Sequence, residues 1–155
     1  MTDYQLQDVT EKDYIYIERT CSMDPQVVGK TMGEAFGAVV SFATEHGIAL
    51  DSQPISVYHT YNPETLTFRA GFFIKPEDAA KASGEVRADK TPTGQVLFLT
   101  HVGPYSELRT TYGEAMAYIE QNGLKIGAPT WEVYVDDPTT TPEQELRTEI
   151  FMALA

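Results

Sequence analysis

Glu149 is the acidic residue whose sequence surroundings best suit a binding role. It lies in an apolar run, with Ile150 and Phe151 directly after it. A carboxylate in an apolar pocket loses hydration, which raises its pKa unless a cation meets it. A lipophilic cation would supply that charge and stack on aromatic rings, each contact contributing about 0.5–2 kcal/mol. Two other interpretations stay open: Glu149 faces solvent, or it pairs with Arg147 on the same strand face.

Aromatic residues provide the other candidates for a ligand site. Tyr112 lies on an apolar helical stripe, so its ring is expected to face a sheet or a cleft, where its hydroxyl would need a partner. Phe36 holds the matching position in the first half of the chain, which also suits ordinary core packing. Trp131 and Tyr134 are three residues apart in one strand and point to opposite faces, so only one can share a cleft face. We predict that the ligand-binding residues are Glu149, Tyr112, Trp131, Tyr134 and Phe36.

Other kinds of chemistry find little support in the sequence. There is no Ser/His/Asp set, no Gly-rich phosphate loop and no zinc-type cluster, because the chain has one cysteine and three scattered histidines. We therefore predict no metal and no cofactor. His101 could act as a base or shape the turn that follows it, and Cys21 is expected to be a buried thiol.

The net charge of the chain limits the kinds of molecule that it is expected to bind. With 11 basic and 23 acidic residues the formal net charge is −12, and such a chain is a poor binder of nucleic acid. No segment reaches the roughly 20 apolar residues that cross a bilayer. The polar N-terminal stretch does not resemble a signal peptide, so a cytoplasmic location is expected. The acidity favours cationic small molecules or basic proteins as partners, or it serves solubility alone.

The chain repeats its own pattern after 76 residues. The segment 36–47 matches the segment 112–123 in its leading aromatic residue and in the glycines near both ends. A tyrosine follows eleven residues after each terminal glycine, at Tyr58 and Tyr134. An internal duplication of this length indicates two copies of one supersecondary unit.

The last strands of the two halves also match, at an offset of 78 residues. Segment 68–74 corresponds to segment 146–152, and in this alignment Glu149 takes the place of Gly71. The difference between the two copies gives an independent hint that Glu149 has a role of its own.

Each half reads as strand, helix, strand, strand, which predicts an α+β fold. The repeats are pseudo-symmetric β-α-β-β units, and two such units suggest one antiparallel sheet covered by two helices with a cleft between them. We predict a single domain, 1–155, made of repeats at about 1–78 and 79–155. The first helix begins at an Asp24-Pro25 cap and ends at Gly47, and the second is capped by Ser106 and ends at Gly123. The predicted strands are Tyr14–Thr20, Ile55–Tyr61, Leu66–Ile74, Gln95–His101, Trp131–Asp136 and Glu145–Met152, with a short helical turn from Lys75 and an edge strand at Gly84–Ala88.

Several motifs together resemble a known family. They are His101-Val102-Gly103-Pro104-Tyr105, then Tyr112, Trp131-Glu132-Val133-Tyr134, Asp137-Pro138 and Leu146-Arg147-Thr148-Glu149-Ile150. This pattern is similar to the GyrI-like small-molecule-binding domain, also called the bacterial transcription-regulator effector-binding domain. The resemblance implies two SHS2-type modules, a ligand cleft between the helices lined by aromatic residues, and one glutamate at its base, matched by Glu149 here.

Two functions follow from this resemblance. The first is a stand-alone effector-binding domain of the multidrug-binding type, which takes up hydrophobic, often cationic aromatic molecules. The alternative is a hydrolase of reactive cyclopropane-bearing toxins, in which Glu149 would polarise water and Tyr112 or Trp131 would position the ring. A third hypothesis is direct contact with a protein partner, such as a DNA-processing enzyme.

Overall fold

The computed structural model describes residues 3–60 and 62–155 and shows eight strands and two α-helices within them. Short 3₁₀ turns at Pro76–Lys81, Tyr105–Glu107 and Glu143–Glu145 join some of these elements. In chain order the main elements are β1 (Gln5–Val9), β2 (Asp13–Ser22), α1 (Pro25–His46), β3 (Pro54–Tyr58), β4 (Thr65–Phe73), β5 (Arg87–Lys90), β6 (Gly94–Val102), α2 (Leu108–Gln121), β7 (Ile126–Tyr134) and β8 (Arg147–Leu154).

The strands form one antiparallel sheet in the order β1-β6-β8-β7-β3-β4-β2-β5. Exchange of the two halves of the chain gives the same order read from the other edge of the sheet, so a pseudo-two-fold axis passes between β7 and β3. Each half lends its first strand to the other, because β1 pairs with β6 and β5 pairs with β2. The predicted α+β sheet with two covering helices is confirmed. β1 is a short and mostly exposed strand that has no counterpart among the predicted strands.

Local signals set the boundaries of α1. The Asp24 carboxylate accepts a hydrogen bond from the backbone N–H of Gln26 at 2.9 Å, and Gly47 ends the helix with φ of 66°. Both predictions are confirmed. The predicted cap at Ser106 is wrong, because residues 105–107 form a 3₁₀ turn and α2 starts at Leu108 without a side-chain cap.

Strand boundaries differ from the predictions by a few residues. The first strand of the central pair is Pro54–Tyr58 rather than 55–61, and Tyr61 lies outside the described residues. The edge strand is Arg87–Lys90 rather than 84–88, and the strand predicted from Trp131 begins at Ile126. These boundaries have weak local signals, because hydrogen bonds to neighbouring strands decide where a strand ends.

The helices cover one face of the sheet near its two ends. α1 packs on β2 and β4 through Ala35, Val39 and Ala43. α2 packs on β6 and β8 through Ala115 and Ile119. The buried residues of the two helix cores come from strands other than β3 and β7, which contribute only Tyr58 and Ile126 at the margins. The helix-facing side chains of β3 and β7 therefore form the floor of the space between the helices, which we call the cleft. None of the described helices is long and apolar enough to cross a membrane.

The other face of the sheet curls inward, so that its own side chains pack against one another. One apolar cluster contains residues of β2, β3, β4, β6, β7 and β8. Strands β2 and β6 lie near opposite ends of the sheet, so they share a cluster because the sheet curls strongly. Trp131 lies in this interior with its ring stacked on Phe151, at a centroid distance of 5.1 Å and an interplanar angle of 5°.

Candidate functional site

The floor of the cleft is built from the helix-facing residues of β3 and β7. Side chains alternate along a strand, so Glu132 and Tyr134 face the helices, whereas Trp131 and Val133 face the curled interior. Ser56 on β3 is the direct cross-strand partner of Glu132. The pseudo-two-fold axis therefore passes between one serine and one glutamate.

Glu132 is a buried carboxylate held by two phenols. Its side chain is 3% exposed. The Tyr112 hydroxyl donates to Oε2 at 2.5 Å, and the Tyr134 hydroxyl donates to Oε1 at 2.7 Å. These are the short distances of hydrogen bonds to an ionised oxygen. Among the described residues, no lysine or arginine forms an ion pair with Glu132.

Burial and hydrogen bonding act on Glu132 in opposite directions. Loss of hydration raises its pKa, whereas the hydroxyls of Tyr112 and Tyr134 and the nearby His101 lower it, and the net direction is upward. Burial and the charge of Glu132 raise the pKa of both tyrosines well above 10.0. Both phenols therefore remain protonated at neutral pH and serve as donors.

Further hydroxyls extend this network into the other half of the cleft. The Tyr134 hydroxyl oxygen lies 2.9 Å from Ser56 Oγ. Tyr58 lies near Ser56 and Tyr134, and burial raises the pKa of this phenol as well. The carboxylate of Glu132 thus belongs to a network of neutral hydroxyl groups that reaches the other half of the cleft.

Aromatic rings surround the carboxylate. Phe36 of α1 packs edge-on against Tyr134 at a centroid distance of 6.3 Å and an angle of 86°. Tyr105, which is 37% exposed, packs edge-on against the same ring at 5.6 Å. Any ligand that approaches Glu132 from between the helices meets these rings, which offer both apolar area and π faces.

His101 holds the turn that carries Tyr105. Its Nε2 lies 3.0 Å from the carbonyl oxygen of Pro104, and its Nδ1 lies 2.6 Å from Thr111 Oγ1 in α2. A carbonyl only accepts, so Nε2 carries a hydrogen. The ring is 5% exposed and joins strand, turn and helix. This geometry agrees with the turn-shaping role.

The structure brings together three of the five predicted ligand residues. Tyr112, Tyr134 and Phe36 meet at the cleft. Trp131 does not, because it points into the curled interior, so Tyr134 is the member of that pair that shares the cleft face.

Glu149 lies outside the cleft cluster. It is half-buried on β8 and is the cross-strand partner of Val133, so its side chain shares the interior face of the sheet. The buried carboxylate next to Tyr112 and Tyr134 belongs to Glu132 instead.

The structure does not place Gly71 and Glu149 at equivalent positions. Gly71 lies opposite Ile55, whose repeat partner on β7 is Trp131, and Trp131 lies opposite Phe151. Phe151, rather than Glu149, therefore occupies the place of Gly71 in the second copy.

The glycine itself has a steric reason. A Cβ atom on Gly71 would lie 2.1 Å from the carbonyl oxygen of Ile15. Glycine is therefore required where β2 and β4 approach closely.

A sequence signal for Glu132 does exist. Strand alternation places it on the same face as Tyr134, and Tyr134 has a repeat partner in Tyr58. At the same offset of 76 residues, Glu132 aligns with Ser56, so both copies have a polar residue at this position of the strand. Two polar residues at matched positions in otherwise apolar strands indicate a shared polar floor.

Metal binding has no support in the geometry. Within residues 3–60 and 62–155, no three or more His, Cys, Asp or Glu side chains are grouped so that they could hold an ion. The chemistry available in the cleft is that of one carboxylate, several phenols and apolar surface.

Comparison with known proteins identifies the family. A family model described as the GyrI-like small molecule binding domain matches residues 2–155. The chain belongs to this family. No curated protein sequence matches it.

Three solved structures share the GyrI-like fold at low sequence identity. The EcmrR C-terminal domain is 20% identical with a TM-score of 0.84, and the match covers 100% of this chain and 98% of that one. SAV2435, solved with tetraphenylphosphonium, is 15% identical with a TM-score of 0.67, and coverage is 99% and 94%. A hydrolase from Listeria innocua is 16% identical with a TM-score of 0.61, and coverage is 98% and 91%.

Proposed function

We propose that this GyrI-like protein binds lipophilic aromatic cations between α1 and α2, with Glu132 as the countercharge. The observation that carries this proposal is a carboxylate that is 3% exposed and receives two phenol hydrogen bonds but forms no ion pair with a lysine or arginine of the described chain. A buried charge without a countercharge is costly, and a cation that can itself leave water at low cost removes that penalty.

The surrounding groups suit such a ligand. Phe36, Tyr105 and Tyr134 offer ring faces and edges for stacking, and each cation–π contact contributes about 0.5–2 kcal/mol. The formal net charge of −12 attracts cations over longer distances. SAV2435, which has the same fold, was solved with a phosphonium of this class. Our proposed ligand residues are Glu132, Tyr112, Tyr134 and Phe36.

A calorimetric titration with tetraphenylphosphonium tests the proposal. The variants are Glu132→Gln and, as a matched control on the other sheet face, Glu149→Gln. We expect the wild type to bind and Glu132→Gln to bind at least 30-fold more weakly, which corresponds to about 2 kcal/mol, the lower end for breaking a buried charge pair. Glu149→Gln should stay within threefold of wild type. Loss of affinity in Glu149→Gln with retention in Glu132→Gln would assign the role to Glu149, and absence of wild-type binding would refute the proposal.

A hydrolase function is the second candidate, and the contact between Tyr112 and Glu132 favours it. A carboxyl group with a raised pKa beside a phenol suits general acid/base work near neutral pH. One protein of this fold is named a hydrolase. The test is incubation with a neutral cyclopropane-bearing electrophile and chromatographic detection of the water adduct. Turnover that is lost in Glu132→Gln would establish the enzyme, and cation binding without turnover would leave the binding function alone.

We also infer a cytoplasmic location and a small molecule, rather than nucleic acid, as the direct partner. The formal net charge of −12 supports the second inference, because phosphate backbones repel acidic surfaces. We further propose that residues 1–155 act as one domain of two repeats, since each half supplies an edge strand to the sheet of the other.

A further inference from the structure

The two halves of the cleft floor are equivalent in fold and different in charge. The pseudo-two-fold axis relates Glu132 to Ser56, which are direct cross-strand partners. It also relates Tyr112 of α2 to Phe36 of α1, and both residues lie 76 positions apart like the first pair. One half therefore presents a carboxylate and its phenol donor, and the other presents a hydroxyl and a phenyl ring.

The half without the carboxylate is apolar above its floor. The Met32 sulfur lies 3.8 Å from Ser56 Oγ. Phe36 packs edge-on against Phe72 at 5.9 Å as well as against Tyr134. This half offers thioether and aromatic surface to a ligand group.

The two acidic residues of α1, Glu34 and Glu45, point away from this half of the cleft. Glu34 precedes Phe36 by two residues, which places it on the far side of the helix. Glu45 lines a depression on the outer side of α1 together with Ile17 and Phe42. No acidic side chain of α1 therefore faces the cleft.

We propose that the cleft selects monocations that carry their charge at one end, and that it discriminates against dications. The charged end lies over Glu132 and Tyr112, and the uncharged end lies over Ser56, Met32 and Phe36. This inference rests on the proposed function and names its ligand class more closely.

The physical reason is the cost of the second charge. A dication that fills both halves must place one positive group against a methionine and a phenyl ring, where no carboxylate meets it. That group loses hydration without compensation. The long-range field of the protein acts in the other direction, because a net charge of −12 attracts a dication more strongly than a monocation. A measured preference for the monocation must therefore come from the cleft itself.

Two probes of nearly the same shape test this preference. They are N-methyl-4-phenylpyridinium, with one charge, and N,N′-dimethyl-4,4′-bipyridinium, with two. We expect calorimetry at about 0.15 M salt, where the long-range field is screened beyond roughly 8 Å, to show at least tenfold tighter binding of the monocation to the wild type. Equal or tighter binding of the dication would overturn the inference.

A charge introduced into the apolar half gives the second test. Met32 is half-buried on α1, so Met32→Glu can place a carboxylate near Ser56 without burying it fully. We expect Met32→Glu to gain at least tenfold in dication affinity and to lose the preference. The matched variant Met32→Gln should change both affinities alike and keep their ratio. A Met32→Glu protein that folds, by circular dichroism, and keeps the wild-type ratio would contradict the inference, and if it does not fold, the wild-type ratio decides.

The failure of this inference can be told apart from failure of the proposed function. If tetraphenylphosphonium and the monocation bind in a Glu132-dependent way but the dication binds equally well, only the selectivity is wrong. If neither monocation binds in that way, the proposed function fails and the selectivity fails with it.

Discussion

The two halves of the cleft have the same backbone framework and differ in charge. The half built from α1 and β3 carries no carboxylate, and the half built from α2 and β7 carries one. Phe36, Ser56 and Tyr58 in the first occupy the places of Tyr112, Glu132 and Tyr134 in the second. The tyrosine is common to both, whereas the other two positions differ by a hydroxyl and a carboxylate. The duplication provides a symmetric framework for the cleft. The differences at two positions, Phe36/Tyr112 and Ser56/Glu132, place the charge in one half only.

A second pair of positions, matched by sequence alone, shows the opposite situation. Gly71 and Glu149 align at an offset of 78 residues, yet the strand register places Phe151 in the position of Gly71. The close approach of Ile15 demands a glycine, while β8 tolerates a half-buried glutamate. A difference between repeats marks a functional residue only when the structure shows which member of the pair is constrained.

The largest expected effect is a loss of stability at Gly71, where β2 and β4 approach closely. In Gly71→Ala the new methyl group would lie 2.1 Å from a backbone oxygen, so β2 and β4 must separate. We expect the free energy of unfolding to fall by about 3 kcal/mol, the upper end for overpacking. Urea denaturation measures it, with Glu149→Ala on the last strand of the other copy as the control, expected within about 1 kcal/mol of wild type. Equal losses in both variants would contradict the comparison.

The charge of Glu132 should make the unliganded protein less stable at higher pH. Burial raises the pKa of this carboxyl above its ordinary value of 4.5, so folding favours its protonated form. That stability is fully present below the unfolded pKa and is lost as the pH rises through the folded pKa. Glu132→Gln should therefore gain stability relative to wild type as the pH rises above 4.5.

Thermal unfolding of both proteins across that pH range measures the difference. Ser56→Ala, the change at the matched position, carries no titrating group and should show no such trend against wild type. A difference between wild type and Glu132→Gln that does not change with pH would show that the carboxyl is not destabilised in the fold.

The phenol of Tyr112 should set the pH at which cations bind. Its hydrogen bond lowers the pKa of Glu132, so Tyr112→Phe should raise that pKa. The midpoint of tetraphenylphosphonium binding against pH should then move upward, because cation binding needs the ionised carboxylate. The reciprocal variant Phe36→Tyr should leave the midpoint in place. Equal shifts in both variants would show that ring polarity in general, rather than this hydrogen bond, sets the midpoint.

The smallest expected effect is one that the two halves share. Gly37 and Gly113 hold matched helix positions, and a Cβ on either would meet no other atom within 4 Å. Alanine costs a helix roughly 0.5–1 kcal/mol less than glycine. Gly37→Ala and Gly113→Ala should each raise the free energy of unfolding by that amount in urea denaturation. A destabilised variant would show that the glycine is needed for close packing in that half.

Much of the framework could be predicted from the sequence because its signals are local. Asp24, Pro25 and Gly47 act within one turn of α1, and its apolar period shows the buried face. The duplication is visible because aromatic and glycine residues recur at a constant offset. The family resemblance rests on the same kind of evidence, since its motifs are short stretches of consecutive residues.

The site was harder to predict because both glutamates occupy similar local sequence. Glu132 and Glu149 each lie in a strand among apolar and aromatic neighbours. Alternation states which residues share a face within one strand, but it does not say which face the helices cover. For the same reason, the sequence did not show whether Trp131 or Tyr134 faces the helices.

The sequence by itself determined the duplicated α+β framework, the family and the boundaries of α1, because caps and periodicity act over a few residues and the repeat recurs at a constant offset. Only the tertiary structure decided that Glu132 meets Tyr112 and Tyr134 in the cleft and that Glu149 faces the curled interior. That choice depends on strand register and on the side of the sheet where the helices pack, and a shift of one residue would exchange the two faces.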